Sequence, residues 1–197
     1  MMDWGMAMAI FFGAIFTNNI LLTNYLGMCS FLSVSREIKT SLGLGTAVTF
    51  VMASTSLLNY LVYYFILDPL GLTYLRFIVF IIVIAAFVQL VEMIIERVSE
   101  PLYAALGIFL PLITVNCAIL GVSLFMVIRE YTLLSSFFYG LGSGLGWWLA
   151  IMAMAGIRQK LAKAKVPRGM EGAGITLIIT GMMALAFMGF TGMININ

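Results

Sequence analysis

The chain has 197 residues, 63% of them hydrophobic and only 9% charged, with a formal net charge of +2 and no histidine. Soluble domains carry about 25% charged residues; so few charges cannot cover a water-soluble surface of this size, and the composition is that of an integral membrane protein with no electrostatic footing for nucleic acid. Without histidine there is no histidine-held haem, Rieske centre or zinc, and no histidine general base.

About 20 apolar residues cross a bilayer core as a helix, and six stretches reach that length, approximately 5–33, 43–67, 74–95, 102–128, 133–157 and 172–194. The start, Met1-Met2-Asp3-Trp4, lacks the basic region of a cleaved signal, so the first stretch is expected to be retained. Short polar joins ("SREIKTS", "DPLG", "ERVSEP", "REYT" and "RQKLAKAKVPRGME") connect the stretches, and nothing reads as a soluble domain. The expectation is an all-α integral membrane protein, residues 1–197 forming a single membrane domain.

Arg36, Lys39, Arg97, Arg158, Lys160, Lys163, Lys165 and Arg168 fall in the joins after spans 1, 3 and 5; the other side carries only Arg76 and Arg129. The positive-inside rule then puts the odd-numbered joins in the cytoplasm and both termini outside. The basic "KLAKAKVPR" also suits anionic lipid headgroups.

The first stretch holds "TNNILLTNYLGMCSF" and the fourth "PLITVNCAILG"; "LGLGTA" opens the second and "YGLGSG" lies in the fifth. A cysteine-bearing interrupted span is thus followed by a glycine-rich span in each half. Three spans per half make the second copy enter from the opposite face, an inverted-topology repeat of about 5–95 and 102–194 with helices 1 and 4 interrupted. Asn18, Asn19, Thr23 and Asn24 are expected to face protein rather than lipid, which offers amides no partner. Pro111 removes one helical hydrogen bond, with Thr114 and Asn116 as replacement partners.

Cys29 and Cys117 are the chain's only thiols, and both follow these interruptions. Continuous helices would leave them at different depths, whereas broken, partly re-entrant segments bring both to the midplane. Each could be a small apolar residue at a helix contact. As soft ligands they would suit iron–sulfur, zinc or copper(I). A closed site wants four ligands, so a metal reading requires a second chain. The pairs Gly140/Gly144 and Gly142/Gly146 predict close helix packing through small residues, and the fifteen methionines predict adaptable packing rather than a copper relay. Glu92, one turn from Glu96 near the cytoplasmic end of span 3, is a candidate for an ion path.

The runs "LGIFLPLITVNCAILG", "LGMCSFLSVS", "GLGSGLGWWLAI" and "GITLIITGMMALAFMGF" resemble a family that includes the E-type component of sodium-translocating NADH:quinone reductase (Nqr) and the A-type component of the Rnf ferredoxin:NAD oxidoreductase. The resemblance covers about Phe16 to Met193. "GSGLGWWLAI" and "AGIRQKL" resemble the Nqr protein; "TNNILLTNYLG" and "LDPLGLTYLR" look as much like the Rnf one. The resemblance implies an electron-transfer subunit of a six-subunit complex in the bacterial inner membrane, with periplasmic termini. It implies pairing with a homologous D-type subunit, each contributing two cysteines, here Cys29 and Cys117, to one intramembrane [2Fe–2S] cluster. Met28 and Asn116 neighbour these ligands. FMN, FAD and NADH belong to other subunits, and ubiquinone accepts the electrons while sodium is exported. The A-type component of an Rnf complex is one alternative; a small inverted-repeat transporter, using the broken spans as a substrate site, is another.

Overall fold

Among the described residues of this computed structural model (2–98, 110–163 and 172–189), all regular structure is helical. The helices are α1 (Met2–Phe16), α2 (Met28–Val34), α3 (Ile38–Val62), α4 (Arg76–Val98), α5 (Leu110–Thr114), α6 (Cys117–Ile128), α7 (Leu133–Leu161) and α8 (Ala173–Met188). A π-helical turn, Tyr63–Leu67, and a last turn, Asp68–Leu70, prolong α3. Four helices are long and apolar enough to cross a membrane, at Ile38–Leu70, Thr73–Ile94, Pro111–Ile128 and Leu133–Leu161, and two shorter apolar ones lie at Trp4–Phe16 and Ala173–Met188. They coincide with the six predicted stretches, and the fold is an all-α membrane protein. The join at 99–101, the start of the fourth stretch (102–109), Lys165, Arg168 and the end of the sixth (190–194) lie outside the described residues.

The 15 residues of α1 reach only about 22 Å at 1.5 Å per residue, short of a hydrocarbon core of roughly 30 Å. Irregular backbone, residues 17–27, and then α2 follow it before α3 begins. A second broken helix, α5 and α6, follows α4. Among the described residues the order of broken helix, long helix and further helix occurs twice.

The core is the pair α3 and α7, whose contacts run in opposite order: Gly45 beneath Trp148, Thr49 against Gly144, Ser56 against Gly140. The alternate glycines of α7 face α1, Gly142 against Phe11 and Ala14, and Gly146 against the Ala14 carbonyl. One glycine-rich helix thus admits a neighbour on each of two faces, the close approach its spacing predicts. A Cβ on Gly144 would lie 2.7 Å from the Thr49 Cα, and one on Gly43 would meet nothing within 4 Å. Gly144→Ala should therefore cost about 1–3 kcal/mol by overpacking and lower the melting temperature of the solubilised protein. Gly43→Ala should not, and equal melting of the two variants would refute the packing account.

Burial on α4 follows a single stripe, Phe80, Ile84 and Val88, while Ile78, Ile82, Leu90 and Met93 point outward. On α8 likewise, Met182, Leu185 and Met188 are exposed. Such apolar outer faces suit lipid or another membrane chain.

The Pro111 carbonyl accepts from the Val115 N–H at 3.2 Å, and the residues to which its missing N–H would have donated lie outside the described residues. The interruption falls later, at Val115–Asn116, where the Asn116 side chain caps α6 by accepting from the Ala118 N–H at 3.0 Å. Of the four polar residues expected to face protein in the first span, Asn19 is fully buried, Asn18 is partly buried, and Thr23 and Asn24 are exposed.

Candidate functional site

Each break is organised by one buried asparagine. Asn19 donates from Nδ2 to the Ile15 carbonyl at 3.2 Å and to the Gly146 carbonyl at 2.7 Å, and its Oδ1 accepts from Leu21 N–H at 3.1 Å. It thereby satisfies backbone groups freed where α1 ends and ties the break to α7, the arrangement irregular backbone needs at membrane depth. Asn116, 2% exposed, caps α6 and donates from Nδ2 to Ser30 Oγ at 3.4 Å. Ser30 in turn donates to the Gly27 carbonyl at 3.2 Å.

These links bring the two breaks together. The Gly27 N–H donates to Cys117 Sγ at 2.9 Å, across 90 residues of chain. Gly27 takes φ +84°, the left-handed conformation that turns the chain from the break into α2 and that glycine adopts without steric cost. Cys29 lies two residues on, second in α2, and Cys117 is the first residue of α6. Both thiols are exposed. Around them the outward residues of the breaks are Thr23, Asn24, Tyr25 and Val115, with Tyr25 52% and Val115 75% exposed. An outward amide at membrane depth is costly against lipid, so this face suits a protein neighbour. Beside Cys117 a cavity of about 280 Å³ opens between Ile81, Ile84 and Ala85 of α4 and Val115 and Leu120.

Both thiols are exposed and soft, and one of them accepts a backbone N–H from the residue two before the other. Among the described residues no group of three or more His, Cys, Asp or Glu lies close enough to hold a metal ion. Met28 is half-buried between the thiol face and the core. Glu92 does not join the thiols. It is partly buried on the α4 stripe that includes Ile81, Ile84 and Ala85, about 10 Å beyond Ala85 along the helix.

Sequence reasoning singled out the thiols, Met28 and Asn116 but missed Gly27, Ser30 and Trp147. A glycine two residues before a thiol, in "LGMC", was the one available signal for Gly27. Trp147, fully buried, reaches this site only through the packing of α7.

The family described as "Rnf-Nqr subunit, membrane protein" matches residues 7–194. Among relatives, the E-type component of the Na(+)-translocating NADH-quinone reductase of Serratia proteamaculans is 54% identical over 93% of this chain and 96% of its own length. The A-type component of the Na(+)-translocating ferredoxin:NAD(+) oxidoreductase complex of Acetobacterium woodii is 53% identical over the same shares, 93% and 96%. The E-type component of the Na(+)-translocating NADH-quinone reductase of Chlamydia trachomatis serovar L2 is 50% identical over 94% of this chain and 81% of its own.

Proposed function

The chain belongs to the Rnf-Nqr family of membrane subunits, and from that premise we propose that it is an electron-relay subunit of a sodium-translocating oxidoreductase complex, not catalytic alone. In this reading Cys29 and Cys117 are two of four thiolates around a [2Fe–2S] cluster, and a homologous D-type subunit supplies the others. The observation that carries it is the junction of the two breaks, with the Gly27 N–H on Cys117 Sγ at 2.9 Å. That contact, with Cys29 two residues past Gly27, supports a shared site for the chain's only two thiols.

The residues present fit the group. Thiolates are its ordinary ligands, and backbone N–H donors to ligating sulfur are one way a protein sets its potential. Bound there, such a cluster accepts and passes on single electrons across the low-dielectric layer. This chain's part is positional: Asn19 and Asn116 hold the breaks open, Gly27 orients the sulfur of Cys117, and the apolar wall of Ile81, Ile84 and Leu120 keeps water away. Exposure of both thiols is what a shared site requires, because the partner completes the burial.

The parent complex is in our reading an Nqr-type NADH:ubiquinone oxidoreductase of six subunits, with NADH, FAD and FMN in other subunits. The Rnf complex is a second reading that the 53% identity to an A-type Rnf component supports almost equally. The relay role is common to both. The basic joins support a multi-pass arrangement in the bacterial inner membrane with both termini periplasmic, and the twice-occurring element order supports inverted repeats of about 5–95 and 102–194. In the same reading Glu92 lies on a cation path near the cytoplasmic end of α4.

The test is partner dependence. Expressed alone, the chain should purify without stoichiometric iron; co-expressed with a homologous membrane protein carrying its own cysteine pair, it should bind iron with a [2Fe–2S] EPR signal. Iron bound equally without the partner, or substrate transport by the chain alone in liposomes, would overturn this reading in favour of a self-sufficient protein.

A further inference from the structure

We propose that Arg158 is a positioning residue for the Cys29 thiolate, acting through the half-helix α2, an inference that rests on the cluster reading above. The seven residues of α2 are too few to be stable as an isolated helix, and its first turn has no side-chain cap. Something outside must hold it.

Besides α3, whose Ser41 Oγ donates to the Val34 carbonyl at 3.2 Å, α7 holds it at both ends. At the start of α2, Gly27 backs directly onto the indole of Trp147: a Cβ on Gly27 would lie 2.6 Å from Nε1. At its end, Arg158 Nη1 donates to the Leu32 carbonyl at 2.9 Å and to Ser35 Oγ at 2.8 Å. Trp147 and Arg158 are both on α7, about 16 Å apart at a helical rise of 1.5 Å per residue, and Gly27 to Ser35 spans about 12 Å by the same measure. Side chains of α7 thus reach α2 at both of its ends. α7 runs 29 residues, seated against α1 and α3 through its glycines, so it is the stiff member of the pair.

The contact suits its place electrostatically. The Leu32 carbonyl belongs to the last turn of α2, where carbonyls lack helical partners and a cation is favoured. A basic residue that only set topology would be solvated, as Lys160 and Lys163 are. Arg158 is instead partly buried and spends its donors on α2 and on Ser35, which is itself fully buried. Loosening that end lets the half-helix shift, and Cys29 moves against Cys117, which is fixed at the start of α6.

The experiment uses the whole complex, purified anaerobically, with Arg158→Gln and Arg158→Lys. The readouts are the rate of iron loss to a ferrous chelator and the g-values of the cluster EPR spectrum. Arg158→Gln should lose iron about tenfold faster, the usual cost of removing a group that orients a metal ligand, with displaced g-values. Arg158→Lys, which keeps the charge and a donor, should recover most of both. Arg158→Gln matching the wild type in rate and spectrum, or Lys no better than Gln, overturns the proposal. Should Arg158→Gln fail to assemble, Ser35→Ala decides, since it removes one acceptor and leaves the Leu32 contact: faster iron loss supports the role and an unchanged rate overturns it. If Cys29→Ala and Cys117→Ala keep their iron, the cluster reading itself has failed. If they lose it while Arg158→Gln and Ser35→Ala do not, only this inference has.

Discussion

Cys29→Ala and Cys117→Ala should each abolish the intramembrane [2Fe–2S] signal of the assembled complex and cut its electron transfer by more than about a hundredfold, above the loss that removing an outer-shell partner of a metal ligand already brings. The two variants should nonetheless differ in stability. Cys117 Sγ accepts the N–H of Gly27, a buried residue, and an alanine leaves that donor unpaired at a cost of about 1–3 kcal/mol. Cys29 is exposed, and its removal should barely change the melting temperature. Serine separates the two roles of Cys117. Its hydroxyl still accepts from Gly27, so Cys117→Ser should recover stability, yet a harder oxygen should not restore the cluster. If the thiols were small residues at helix contacts, all these near-isosteric variants would keep wild-type iron, signal and turnover.

Much of this site could be anticipated because membrane burial leaves few ways to place polar groups. Hydropathy alone located the spans, and the spacing of Gly140, Gly142, Gly144 and Gly146 announced close helix packing, though not that it serves two faces. The amides announced the breaks but not their direction. Asn19 turns inward to Gly146 while Asn24, five residues on, turns outward, and composition is blind to that difference because both are asparagines in one irregular segment. In the fourth span the described break is set by the cap at Asn116, five residues past Pro111. Trp147 and Arg158 could not be read at all. Their roles come from lying beside α2, a relation set by the packing of α7 on α1 and α3.

Gly27→Ala tests whether the junction, rather than the thiols alone, makes the site. Two costs add at this position. The left-handed φ of +84° disfavours any Cβ by about 1–2 kcal/mol. The new methyl would also lie 2.6 Å from Trp147 Nε1 and 3.1 Å from both Ala118 Cβ and Asn116 Oδ1, and overpacking of this kind costs about 1–3 kcal/mol. Trp147 is fully buried and its ring is rigid, so the backbone of Gly27 must yield instead. Its N–H then leaves Cys117 Sγ and Cys29 is displaced with it. The expected result is a complex that melts earlier and retains well under half its cluster iron, although both cysteines are intact. Gly71→Ala is the matched control: Gly71 is also left-handed, at φ +67°, but a Cβ there meets nothing within 4 Å. It should carry the conformational penalty alone and leave the cluster untouched. Equal iron content in the two variants would mean that the meeting of the breaks is incidental to the site; selective loss in Gly27→Ala would mean that the backbone at the crossing of the two halves is as necessary as the sulfurs it positions.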